Sequence, residues 1–268
     1  MPCRGGSERQ LNRRDRSPPR PPGPRRPPVP QLEWAYFFDL DGTLIDFAAT
    51  PAAVRVSTAV RELLEQLHRY TGGAVALMTG RPIAEIDRWF PHVRLPVAGL
   101  HGLERRGVAG TVARHTLAAS RFARLERAVA RAVNGKRGLL VENKGLSVAL
   151  HYRRAPRLAG YAHRVARSVL AEVGPEFCIQ RGKYVVEIRP AGKDKGLGVL
   201  EFMKEQPFRG RTTVFVGDDV TDEPGFVTVN RLGGHSIKVG PGRTAARWRL
   251  PNVRAVRAWL GEASKESR

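Results

Sequence analysis

Residues 36–47 read YFFDLDGTLIDF: a run of aromatic, strand-forming side chains stops on two carboxylates one residue apart, followed at once by Gly-Thr. Side chains alternate along a strand, so Asp39 and Asp41 point to one side and Leu40 to the other. A buried strand does not finish on two repelling carboxylates unless something positive sits between them. In open parallel sheets that is the end where ligands bind. Two simpler readings fail. Asp41-Gly42 as a hairpin turn lacks a second alternating strand after it. A calcium loop would need an acid or amide fifth, glycine sixth and glutamate twelfth, where the chain has Thr43, Leu44 and Thr50.

A second acidic cluster, VFVGDDVTDEPGF, also follows a buried apolar run, and crowds Asp218, Asp219, Asp222 and Glu223 into six residues. Strands that bring the two clusters to one sheet end need a hard dication between them. Mg²⁺ suits this, because it prefers oxygen ligands and is held by one or two carboxylates plus a substrate phosphate. Donors for phosphate oxygens are also present. ALMTGRP ends a strand on Thr79-Gly80-Arg81, and AGKDKG offers Lys193 and Lys195 between glycines.

The rest of the chain fits a sheet of this kind. Residues 1–31 hold nine of the twenty prolines and eight arginines, which predicts an extended tail outside the fold. From Trp34 onward short strands alternate with helices: AYFFDL, then VSTAVRELLEQLHRY with Val56, Val60, Leu63, Leu64 and Leu67 on one face, then AVALMTG, AEIDRWF and LPVAGLHG. Between about 104 and 189 the order changes to helix, paired strands, helix, paired strands, and afterwards βαβ order resumes. The spacing predicts an α/β core over 32–103 and 190–268, with a parallel sheet covered by helices, and an α+β module inserted over 104–189.

A net charge of +21 raises nucleic acid as a partner, through the arginine tail and the basic body. No helix-turn-helix, zinc-finger or aromatic RNA-binding motif accompanies the charge. No apolar run approaches the length of a membrane span. Two cysteines without ligand spacing and no signal-peptide pattern point to a reducing compartment, by default the cytoplasm.

FDLDGT, MTGR, KG and GDDVTD, in this chain order, resemble the four motifs of the haloacid dehalogenase (HAD) superfamily of phosphotransferases. FFDLDGTL, TGRP, GLHG, LHYR, VEIRP and GDDVTDE resemble, more narrowly, the trehalose-6-phosphate phosphatase family, over roughly residues 34–262. The resemblance implies a HAD-like Rossmannoid core with a cap, and hydrolysis of trehalose 6-phosphate in the last step of trehalose biosynthesis. It implies Asp39 as nucleophile and Asp41 as acid and base. Mg²⁺ would rest on Asp39, the Asp41 carbonyl and Asp218, with Asp219 or Asp222 in support.

By the same resemblance Thr79 and Lys195 hold the phosphoryl group, with Arg81 beside it, and Lys195 is favoured over Lys193. The cap would contact the sugar through Lys144, His151, Arg153, Lys183 and Glu187. Lys183 and Glu187, four apart on an expected strand, would share a face. His101 would be structural, near the passage from core to cap. A monomer acting on a small sugar phosphate is expected, with a trehalose-6-phosphate synthase as a possible functional link. Hydrolysis of another sugar phosphate is the near alternative.

Overall fold

The computed structural model describes residues 26–48, 50, 53–133 and 136–263. The first half of the core is built by β1 (Ala35–Phe38), α1 (Thr58–Tyr70), β2 (Val75–Met78), α2 (Ile83–Trp89) and β3 (Val97–Gly99). Two more strands follow, β4 (Glu104–Arg106) and β5 (Val112–Arg114). An inserted unit then runs through α3 (Ala119–Val133), β6 (Leu140–Asn143), β7 (Val148–His151), α4 (Ala159–Val173), β8 (Phe177–Gly182) and β9 (Val185–Pro190). The chain returns through α5 (Lys195–Phe202), β10 (Thr213–Gly217), α6 (Glu223–Arg231), β11 (His235–Val239), β12 (Trp248–Leu250) and α7 (Val253–Ala263).

The large sheet has the order β12-β11-β10-β1-β2-β3-β4-β5. It is parallel from β12 to β3, and β1 lies centrally with Phe37 opposite Phe215 on one side and Ala76 on the other. Alternation along β1 explains why it is apolar throughout. Tyr36 and Phe38 pack with the buried faces of α1 and α7, through Leu64, Leu67, Val256 and Trp259. Ala35 and Phe37 pack on the opposite side with Phe202 of α5 and Phe226 of α6. Strands covered on both faces carry near-continuous apolar runs. Ser57 caps α1 by accepting from Val60 N–H, which fixes its start two residues later than the apolar pattern suggests.

Three features of the fold differ from what the sequence pattern predicts. The insertion was expected from residue 104, yet β4 and β5 pair antiparallel onto β3 as the edge of the core sheet. The inserted unit therefore starts at α3. Second, the strand expected through LPVAGLHG stops at Gly99, because Leu100 and His101 take left-handed backbone angles of φ 49° and 55°. Third, the tail was expected to stand apart through residue 31. Instead Trp259 Nε1 donates to the Pro28 carbonyl at 2.8 Å and Tyr36 hydroxyl to that of Gln31 at 2.7 Å, so 26–31 lie along the core. Residues 1–25 of that tail lie outside the described residues.

The inserted unit is a four-stranded antiparallel sheet, β6-β7-β9-β8, with α3 and α4 on one face. Val148, Leu150, Val186 and Ile188 point to these helices. By strand alternation Glu142, Ala149, His151, Gln180 and Glu187 then point to the other face, towards the core. Among the described residues no helix is long and apolar enough to cross a membrane.

Candidate active site

Parity along β1 delivers the first carboxylate. Asp39 follows Ala35 and Phe37 onto the face covered by α5, and Lys195 opens that helix. Lys195 Nζ donates to Asp39 Oδ1 at 2.7 Å and to Asp222 Oδ1 at 2.6 Å. Burial alone would depress the pKa of this ammonium, but the charges of Asp222 and Asp39 outweigh burial and raise it. Lys193 pairs instead with Glu201, on the helix surface. Of the two lysines left open by the sequence, Lys195 is the one in the site.

The second acidic cluster converges as expected, but its members divide the work. One carboxylate oxygen from each of Asp39, Asp218 and Asp222 lies within 4.8 Å of the others. Asp222 is fully buried, accepts from Lys195, and caps its own turn through Asp219 N–H at 2.9 Å. Asp219 accepts from the main-chain N–H groups of Val220 and Lys183 and is not one of the three. Asp218 is the unbalanced member of the cluster: its Oδ1 is buried without a hydrogen-bond partner. Burial, reinforced by Asp222 and Asp219, pushes its pKa up to about 7. Three crowded carboxylates with one orphaned oxygen are what a hard dication neutralises, so these residues fit Mg²⁺.

Asp41 sits at the mouth, gripped by a two-pronged Arg81: Nε to Oδ2 at 2.6 Å and Nη2 to Oδ1 at 2.8 Å. Arg81 also pairs with Glu85 at 2.6 Å and lies over the Trp89 ring. The sequence places Arg81 beside an anionic substrate; in the structure its fork faces the Asp41 carboxylate. Thr79 is buried, and its hydroxyl accepts Arg81 N–H at 3.1 Å, which sets the turn after β2. Gly80 and Arg81 line the cavity with Asp39, whereas Thr79 is not among its lining residues.

The open face of the inserted sheet roofs this cavity. Lys144 donates to Glu187 at 3.0 Å and to the Gly80 carbonyl at 3.1 Å, tying roof to floor. Burial would raise the Glu187 pKa, but the Lys144 ammonium beside it draws it down to about 2. His101 Nε2 is 3.8 Å from Glu187, yet burial holds this imidazole near pKa 3, so the contact is that of a neutral ring. His101 packs against Gly80 so closely that a Cβ there would lie 2.7 Å from it, in keeping with the structural role expected.

His151 bonds Glu142 at 2.7 Å, and this bond with Lys144 keeps Glu142 below the usual carboxylate range despite burial. Arg153 and Lys183 also line the cavity. Lys183 falls in the turn between β8 and β9, next to Tyr184 at φ 64°, so it does not share a strand face with Glu187; the hairpin turn breaks the alternation. Glu142, Glu85 and Phe47 were missed. Alternation in LLVENKG carries a signal for Glu142, whereas Phe47 reads as one more core residue.

A parallel sheet with an acid pair after its central strand, a lysine opening a later helix and a roofing insertion defines the fold of the HAD superfamily. A sequence profile of the trehalose-phosphatase family matches residues 37–253. The chain belongs to this family. It is 45% identical over 226 residues to a probable trehalose-phosphate phosphatase of Sinorhizobium fredii, covering 84% of this chain and 85% of the relative. It is 41% identical over 242 residues to the trehalose-6-phosphate phosphatase of Escherichia coli, covering 87% and 88%. The C-terminal domain of Candida albicans trehalose-6-phosphate phosphatase superposes with a TM-score of 0.77 at 21% identity, over 86% of this chain and 92% of that one.

Proposed function

We propose that this chain hydrolyses trehalose 6-phosphate to trehalose and phosphate, with Mg²⁺ as its metal. The observation that carries the reading is the pairing of floor and roof. A buried carboxylate, Asp39, with Lys195 beside it, faces a sheet of paired polar groups that suits a sugar rather than an apolar ligand.

Asp39 attacks phosphorus as the bond to the sugar oxygen breaks, and the phosphoryl group passes to its carboxylate. Asp41 gives a proton to the departing oxygen, then takes one from the water that cleaves the Asp39–phosphoryl bond and releases phosphate. For both steps Asp41 has to leave the Arg81 fork, and Arg81 exchanges it for the substrate. Lys195 holds Asp39 in place and balances charge on the transferring oxygens, and the Thr79 hydroxyl retains a proton to donate there. Asp39, the Asp41 carbonyl and Asp218 would hold Mg²⁺, with Asp222 behind. When bound, the ion offsets the charge of the phosphoryl group and of the carboxylates around it. Lys144, His151, Arg153, Lys183 and Glu187 orient the sugar, and the unit from α3 to β9 thereby sets specificity.

The same core chemistry serves other sugar phosphates. Phosphate release from a panel of sugar phosphates, with Mg²⁺ and with EDTA, separates the readings. Preference for trehalose 6-phosphate that vanishes with EDTA is expected. Equal rates across the panel would remove the substrate, and EDTA-resistant release would remove the metal.

A further inference from the structure

Phe47 stands outside every role assigned above. It belongs to the core, six residues past Asp41, yet its half-buried ring lies between two cations of the inserted unit. Lys183 Nζ is 4.5 Å from the ring centroid and the Arg153 guanidinium 4.8 Å. Arg153 is also 4.9 Å from the Tyr184 ring, so the hairpin tip and the end of β7 share this one anchor. The ring edge presses on the catalytic loop. At Gly42, whose φ is +89°, a Cβ would lie 2.4 Å from Phe47 and 2.5 Å from Asp218 Oδ2.

The roof also meets the core through polar contacts: Lys144 to the Gly80 carbonyl, Lys183 N–H to Asp219 Oδ2 at 2.8 Å, and the Lys183 ammonium 3.8 Å from Asp218 Oδ2. The aromatic face of Phe47 attracts the ammonium and the guanidinium without accepting a hydrogen bond from either, which leaves their N–H groups for a ligand. A carboxylate in its place would bind the same cations but consume their donors and add to the acidic crowd at Asp218.

We propose that Phe47 is the seat on which the inserted unit closes, holding Arg153 and Lys183 over the cavity and linking closure to the loop that carries Asp41. It is a positioning residue, and its effect on turnover rests on the sugar-phosphatase reading. Substrates whose sugar reaches the roof depend on the seat, whereas a small aryl phosphate that reacts on the floor depends on it less.

The test compares Phe47→Leu, which keeps bulk and loses the π face, with Phe47→Tyr, which keeps both. Hydrogen–deuterium exchange at the Lys183 amide reads closure with no substrate, and is expected to quicken about tenfold in the leucine variant and to stay slow in the tyrosine variant. With substrates, kcat/KM for trehalose 6-phosphate relative to p-nitrophenyl phosphate should fall about tenfold in Phe47→Leu, mainly through KM, with Phe47→Tyr near wild type. Exchange as slow in Phe47→Leu as in wild type, equal losses in both variants, or equal losses on both substrates overturns the proposal. Should the wild-type protein release nothing from trehalose 6-phosphate, the functional reading fails alone, and the exchange measurement still decides the seat.

Discussion

Replacing Asp218 by asparagine should make the metal-free protein more stable. The carboxyl is 5% exposed, its Oδ1 has no hydrogen-bond partner, and its pKa stands at about 7 against 3.8 for a free side chain. An acid whose pKa is raised by folding keeps a proton that the unfolded chain gives up. Stability therefore falls as pH climbs from about 4 to about 7, and the loss is complete above that window. At ~1.4 kcal/mol per tenfold change in proton affinity, the penalty at pH 8 reaches about 4 kcal/mol, and relaxation around the charge trims it to about 2–3 kcal/mol. For a chain of this size that is a gain of roughly 5–10 °C for Asp218→Asn in EDTA. Calorimetry at pH 8 and pH 4 in EDTA, then at pH 8 with Mg²⁺, reads it. The gain should vanish at pH 4, where both side chains are neutral, and reverse with Mg²⁺, which stabilises only the wild type. A variant melting at or below wild type at pH 8 in EDTA, or gaining more on acidification, would refute the reasoning.

Three further outcomes follow from the same geometry. Asp39→Asn should lower kcat by about 10⁴-fold with an unaltered circular dichroism spectrum, and measurable turnover near wild type removes it as nucleophile. Lys195→Met leaves Asp39 and Asp222 buried without their shared cation, so it should cost about 3–5 kcal/mol in chemical denaturation, part of it regained by adding Asp222→Asn. If the second substitution only worsens stability, the carboxylates were not in conflict. Glu187→Gln frees Lys144 and should raise KM for trehalose 6-phosphate about tenfold while sparing p-nitrophenyl phosphate hydrolysis, and a matched loss on both would place Glu187 in the core chemistry instead.

The strands that build the site were legible because burial on both faces leaves an apolar run that nothing else in the chain imitates. Asp39, Asp218 and Lys195 were visible as chemistry without a local structural purpose. The edge of the core sheet was not. In β4 Glu104 and Arg106 are buried but charged: Glu104 accepts Ile83 N–H at 2.9 Å, and Arg106 pairs with Asp87 at 2.5 Å and the Leu95 carbonyl at 3.0 Å. Partners from α2 and the segment after it make those residues core, and a one-dimensional pattern scores them as surface. The Arg81–Asp41 grip is hidden for a related reason, since it joins loops forty residues apart. Lys183 was misplaced because a left-handed tyrosine in the turn leaves no mark in an otherwise strand-like KYVVEIRP.

The proline-rich leader invites trimming, and the natural place to cut is where the apolar pattern begins. The indole of Trp259 shows why such a cut would go too far. Its one donor is spent on the carbonyl of Pro28, and the phenol of Tyr36, on the strand that leads to Asp39, is spent on that of Gln31. Proline has no N–H to satisfy but a full acceptor to offer, so this short girth closes the back of the sheet without needing a strand of its own. A shortened protein meant to behave like its parent should keep everything from Arg26 onward.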